Sequence, residues 1–241
     1  MQVNELPNYG IDILTISEQS RVPLKKRLQL ILPALEMIGK IFQYLGIKGT
    51  IHFLTDIKST IKFAETLDWS NLKARGISEK NLKTIIRKIV VAKVMADTLG
   101  MEKAAELRRN LSQRISIPVF SEMFATPETF LEIGKGDFLP PFKKYYIAMA
   151  EAMKDKGLEE SLVVTNTPDE FQLNVVYCAW AEVARLLGNP AYCYYSTCYG
   201  DEVFFPYLSE KCGFDFSRSG TLALGKPYCD MKFCRKQVVS K

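Results

Sequence analysis

The 241-residue chain is 47% apolar and 24% charged, a composition that excludes general disorder and suits one large domain or a domain with a helical lobe. Its formal charge of +5 is uneven: residues 1–120 hold 19 Lys/Arg against 11 Asp/Glu, and residues 121–241 hold 13 against 16. The basic residues alternate with acids at helical spacing and form no dense block with aromatic partners, which argues against a nucleic-acid surface. The longest apolar stretch, Leu28 to Ile47, is broken by Pro33, Glu36 and Lys40, so no membrane helix of about 18 uncharged residues is expected. Met1 to Gly10 lacks the basic start and apolar core of a secretory signal, and a cytoplasmic location is expected.

In chain order, Leu24, Leu28, Ile31, Leu35, Ile38, Phe42 and Leu45 recur at spacings of four and three, one stripe of an amphipathic helix. Burial against the chain's own core is the expected use of this stripe, with a dimer seam the alternative. Pro33 should kink or restart the helix, and Gly46 and Gly49 should close it. His52, between Ile51 and Phe53, reads as a structural histidine on a strand. Ser78 is an N-cap candidate for a helix ending at Leu99-Gly100. A further helix should run from Met101 to Ile115 and stop before Pro118. Thr126-Pro127-Glu128 opens a short helix to Ile133, and Gly134 to Pro141 is the best linker candidate. Phe142 to Lys156 is helical again and ends at Gly157.

The pattern then changes. Ser161 to Thr165 and Glu170 to Tyr177 read as strands. Ala179 to Leu187 reads as a helix stopped by Gly188, and Phe214 to Ser219 and Met231 to Val239 as strands. Helices followed by strands around one helix argue an α+β fold: an N-terminal helical region, then an antiparallel sheet packed with helices. The expected division is residues 1–140, mainly helical, and residues 141–241, cysteine-rich, integrated into one domain.

All six cysteines fall in this last part: Cys178, Cys193, Cys198, Cys212, Cys229 and Cys234. In a long chain without an export signal they should be reduced. Cys178 stands where a strand runs into a helix, and partial positive charge at the helix N-terminus would lower its pKa below the free value of about 8.5. Cys198 precedes Asp201 by three residues, and Asp230 follows Cys229. Each thiol has a plainer reading as a small buried hydrophobe. Zinc held by three thiolates and a carboxylate is the metal alternative, although the paired Cys-x-x-Cys spacing is absent. His52, far away in sequence, gives little support to a Cys-His dyad.

The run Cys178-Ala179-Trp180-Ala181-Glu182, then Leu187-Gly188-Asn189-Pro190, then Cys198-x-x-Asp201, then Arg218-x-x-Thr221-Leu222-x-x-Gly225-x-x-x-Cys229-Asp230 resembles the L-2-amino-thiazoline-4-carboxylic acid hydrolase family. The likeness covers about residues 171–235. It departs at Met231, where the family usually has Phe, a packing role that Phe233 is expected to take. The end of the chain also looks like a vinyl reductase-type small-molecule-binding domain. The family resemblance implies a cysteine-dependent hydrolase that opens a small cyclic isothiourea or amidine, such as 2-aminothiazoline-4-carboxylate, to N-carbamoyl-cysteine. It implies Cys178, Cys198, Cys229 and Asp201 as catalytic residues, and Arg218, Thr221 and Asp230 as substrate-binding ones. Arg218 would hold the substrate carboxylate by two parallel hydrogen bonds. The three catalytic thiols and Asp201 should converge on one pocket, with Cys193, Cys212 and Cys234 outside it. No cofactor is expected, and a homo-oligomer is a possible partner state. The alternatives are a zinc-binding Cys/Asp protein and a non-catalytic small-molecule sensor.

Overall fold

The computed structural model describes residues 24–236 together with Gln2. The readings made on Met1 to Gly10 and on the last strand residues, 237–239, lie outside the described residues.

Helix α1 spans Leu24–Glu65 and contains Pro33. Gly46, with a left-handed φ of 63°, ends the first of two helical parts, and the second, in which Gly49 lies, starts directly after this one non-helical residue. Thr50 Oγ1 donates to the Gly46 carbonyl at 2.8 Å across the kink. The continuation overturns the strand reading of His52, which is an exposed helical residue. The apolar stripe is also not where own-core burial would put it. Ile41, Phe53 and Ala64 face the protein, whereas Ile31, Leu35, Ile38 and Phe42 are exposed.

Helix α2 (Ser70–Ala74) is short. Helix α3 (Glu79–Leu99) begins at Ser78, whose side chain accepts from the Asn81 N–H, and ends at Gly100 with φ 83°. Helix α4 (Met101–Met123) runs through Pro118 instead of stopping before it. Its last turns are held by tertiary packing, which overrides the lost backbone donor: Phe120 and, just past the helix end, Phe124 pack on Phe204, with ring centroids 5.1 and 5.4 Å away. Thr126 caps α5 (Pro127–Ile133). The Gly134 to Pro141 segment is a tight turn and not a spacer. Gly136 N–H donates to the Leu131 carbonyl, and Pro140 and Pro141 already lie in the first turn of α6 (Leu139–Asp155).

The sheet follows. Strands β1 (Glu159–Asn166), β2 (Glu170–Cys178), β3 (Phe214–Ser217) and β4 (Cys229–Arg235) pair antiparallel in the order β1-β2-β4-β3. Between β2 and β3 lie three helices and not one: α7 (Ala179–Leu186), α8 (Ala191–Ser196) and α9 (Asp201–Cys212). The fold is α+β. Strand alternation decides the two faces. Phe171, Leu173 and Val175 on β2, and Cys229, Met231 and Phe233 on β4, point into the core. Their neighbours Gln172, Asn174, Asp230 and Lys232 are only partly buried. Phe233 is fully buried, with rings of Phe142, Phe205 and Phe216 at 5.0, 5.1 and 5.2 Å. It takes the aromatic packing role expected for it beside Met231.

Candidate active site

The β1–β2 hairpin sets the first pair of the site. Counting outward from its turn, Asn166 pairs with Phe171 and Glu159 with Cys178, and the irregularities between them compensate so that the register returns. Opposed antiparallel residues hold their Cβ atoms about 5 Å apart. Cys178 Sγ accordingly donates to Glu159 Oε1 at 3.9 Å. Gly157 lets β1 begin there. It has φ 64°, and a Cβ on it would collide with the Arg75 carbonyl and lie 2.6 Å from the Ile77 nitrogen.

Cys178 is the N-cap of α7. Its side chain makes no capping hydrogen bond to the first turn. The net effect is the reverse of the expected one. A hydrogen bond with Cys193 pulls the pKa down most, yet burial and the charge of Glu159 outweigh it and raise the thiol above its ordinary value. Burial likewise pushes Glu159 up to about 7, aided by the charge of Asp201. Near neutral pH Cys178 is therefore a thiol, while Glu159 stands near the midpoint of its titration, with its base form present above about pH 7.

Cys198 opens the 3-10 turn Cys198–Gly200, and Asp201 begins α9 directly after it. A Cβ on Gly200 would stand 2.7 Å from Phe120 Cε2, so the turn is pressed against α4. Cys229 is buried on β4. Its sulfur accepts from the Leu222 N–H at 3.3 Å, and burial drives its pKa up, with the charges of Cys198 and Cys178 adding to the rise. Cys178, Cys198 and Cys229 are near enough to feel one another's charge, and Asp201 acts on Glu159 in the same way, but of the four expected to share one pocket only Cys178 lines the cleft at this end of the sheet. Cys193, expected outside, stands within the cluster: its sulfur is 3.6 Å from that of Cys198. Short helix α8 turns it inward, fully buried. Hydrogen bonds with Cys178 and Cys198, with burial, raise it well above an ordinary thiol. Cys212 and Cys234 lie elsewhere, Cys234 donating to Glu170 across the β2–β4 ladder. All six are free thiols.

Arg218 organises the carboxylate side. Its guanidinium donates to Asp201 Oδ2 at 2.7 Å, to the Cys198 carbonyl at 2.8 Å and to Glu202 Oε1 at 2.8 Å. The side chain is 3% exposed, and its Nε is buried without a partner among the described residues. Burial nevertheless dominates at Asp201, raising it to about 6 against the pull of Arg218. An arginine so engaged has no bidentate face left for a substrate carboxylate, which removes the basis for the clamp expected of it. Thr221 is buried and caps the 3-10 turn Leu222–Leu224 through the Leu224 N–H. Asp230 accepts from the N–H groups of Ser219 and Gly220 at 2.9–3.0 Å. Both hold the loop that carries Leu222 to Cys229.

A cleft of about 210 Å³ opens at this end of the sheet, lined by Tyr177, Cys178, Glu182, Arg185, Leu222 and Gly225 among others. Two residues with no motif to announce them complete the site. Glu159 was legible only through hairpin register. Tyr146, on α6, is buried, and burial with the charges of Asp201 and Glu159 holds its hydroxyl well above the usual range. Among the described residues, no three or more His, Cys, Asp or Glu side chains are grouped so as to hold a metal ion.

The sequence model of one family, described as L-2-amino-thiazoline-4-carboxylic acid hydrolase, matches residues 79–233. No curated protein and no solved structure matches the chain. The matched span runs from the first residue of α3 through Phe233 and contains every thiol of the cluster together with Glu159, Asp201 and Arg218.

Proposed function

The chain belongs to the L-2-amino-thiazoline-4-carboxylic acid hydrolase family, and on that premise we propose that it opens a small cyclic isothiourea bearing a carboxylate, with Cys178 as nucleophile and Glu159 as its base. The observation that carries this reading is Cys178 lining the cleft, with Glu159 as its hydrogen-bonded partner behind it. The nucleophile here is activated by an adjacent base and not by a depressed pKa.

Glu159 takes the Cys178 proton as the sulfur attacks the ring carbon between sulfur and nitrogen. The C–S bond of the ring then breaks, and the departing sulfur recovers that proton from Glu159. The product is an amidino-thioether of Cys178 carrying the opened substrate. Water next adds to the same carbon and gives up its proton to Glu159. The bond to Cys178 breaks, and the thiolate is reprotonated, leaving an N-carbamoyl amino acid. One water is consumed and the enzyme is restored. Asp201, held by Arg218 and raised to about 6, serves as a second acid for the ring nitrogen. Arg218 keeps Asp201 in position, and recognition of the substrate carboxylate passes to Arg185 at the cleft rim. Arg185 is exposed and, among the described residues, its side chain bonds only to Glu182, at 2.6 and 3.2 Å. The Tyr177 hydroxyl beside the cleft, buried without a partner among the described residues, fits a polar substrate atom.

The test is intact-protein mass after an acid-quenched single turnover with 2-aminothiazoline-4-carboxylate. The expected result is a transient adduct of one substrate mass on the peptide containing Cys178, absent in Cys178→Ser. Turnover in Cys178→Ser equal to that of the native enzyme would end the covalent mechanism.

A further inference from the structure

We propose that Cys193 and Cys198 are a peroxide-sensitive dithiol, and that closing it to a disulfide slows the site at Cys178. The bond itself is independent of the hydrolase reading, and only its effect on turnover rests on that reading. The two sulfurs stand 3.6 Å apart, in contact but unbonded. A disulfide holds them about 2.05 Å apart, so closure asks for a movement of roughly 1.5 Å. The chain between them permits it. Cys193 lies on α8, which ends at Ser196. Thr197, with φ −137° and ψ −54°, breaks the helix, and the 3-10 turn starts at Cys198. The two cysteines therefore hang on separate elements joined at one non-helical residue, and neither belongs to the sheet.

Exposure orders the two steps. Cys198 is partly exposed, whereas Cys193 is fully buried. Hydrogen peroxide reaches Cys198 first: the sulfur attacks one peroxide oxygen, the O–O bond breaks, and a sulfenic acid and water form. Cys193 then attacks the Cys198 sulfur. The S–S bond forms, the S–O bond breaks, and the hydroxide leaves with the Cys193 proton as water. Two thiols lose two electrons and two protons in all, and the peroxide becomes two waters. Thr197 Oγ1, 3.5 Å from the Cys193 sulfur and 3.8 Å from the Cys198 sulfur, is placed to pass that proton. A resolving thiol already in contact gives the sulfenic acid a partner before further oxidation, which keeps the change reversible. Closure also consumes the Cys193 S–H. That thiol hydrogen-bonds to Cys178, so in the oxidised chain the Cys178 thiolate forms without its donor.

The experiment treats the reduced full chain with hydrogen peroxide, blocks the remaining thiols with iodoacetamide in urea, and weighs tryptic peptides without reduction. Trypsin leaves Cys193 and Cys198 together in residues 186–211 and Cys178 in residues 157–185. The expected peptide 186–211 is lighter by two hydrogens and unalkylated, with 157–185 alkylated once. Turnover of 2-aminothiazoline-4-carboxylate should fall about tenfold, the worth of one hydrogen bond to a charged group, and dithiothreitol should restore both. Cys193→Ala, which lacks the same donor, should start at the lowered turnover and ignore peroxide. Should that variant fail to fold, the masses and turnover of the native chain still decide. A peptide 186–211 that stays doubly alkylated, gains oxygen or is joined to 157–185 overturns the dithiol. A closed bond with turnover unchanged overturns its effect on the site. A reduced chain that never turns over the substrate ends the hydrolase reading and leaves the bond standing.

Discussion

Glu159 is the residue on which the pH behaviour turns. With its carboxyl raised to about 7, the base form is lost as pH falls through that value. The acid limb of kcat/KM should therefore have an apparent pKa near 7, belonging to the Glu159–Cys178 pair and not to either residue alone. Glu159→Gln should lower kcat by about 10²–10⁴-fold, the usual worth of a positioned base, and abolish that limb. Steady-state kinetics across pH check both. A raised carboxyl also costs stability once it must ionise, so Glu159→Gln should melt higher than the native protein at pH 8 while turning over less. Arg185→Gln should raise KM at least tenfold with kcat nearly unchanged, the pattern of a group that binds substrate and transition state alike. An effect confined to kcat would return the carboxylate to some other residue.

At the scale of elements, the site depends on two local devices that can be broken separately. Gly157 holds a left-handed turn against the backbone of residues 75–77, two residues before Glu159. Gly157→Ala forces both a positive φ and a backbone collision, and should cost more than about 2 kcal/mol in urea unfolding. The strand β4 device is Phe233, fully buried among rings from α6, α9 and β3. Phe233→Ala should cost about 3–5 kcal/mol. Because Cys229 lies on the same face of the same strand, the variant should also expose that thiol to alkylation at neutral pH.

For the whole molecule, the buried carboxyls set a stability trend. Glu159 is raised to about 7 and Asp201 to about 6, so both bind protons in the folded state that the unfolded chain has released. Their contribution is full below about pH 4 and is lost as pH rises through 6 to 7. The midpoint of denaturation should fall across that window, and less so in Glu159→Gln. Elemental analysis addresses the metal alternative. Protein purified without added metal should carry well under one zinc per chain and keep its turnover in a chelator; stoichiometric zinc lost together with activity would give the site to the metal. Among the described residues, no helix is long and apolar enough to cross a membrane.

Much of the fold could be read from local chemistry. Ser78 and Thr126 as caps, Gly100 and Gly188 as stops, and the period-two apolar rows of β2 and β4 act over a few residues, so the sequence carries them directly. Pro118 and His52 show where this fails: packing of Phe120 and Phe124 on Phe204 keeps α4 helical past a proline, and a second helical part resumes directly after Gly46 and takes in His52. The motif residues Cys178, Cys198, Cys229 and Asp201 were legible because they recur in a recognisable order. Their state was not. Whether a thiol at a helix N-terminus is activated depends on what buries it and what charge faces it, and Glu159 and Cys193 arrive from β1 and α8. The same holds for Arg218, a plausible clamp by residue type, whose donors are directed to Asp201, Glu202 and Cys198. Sequence determined which groups are present and in what order. Tertiary structure decided their protonation and partners, because desolvation and Coulomb interaction act through space and have no period along the chain.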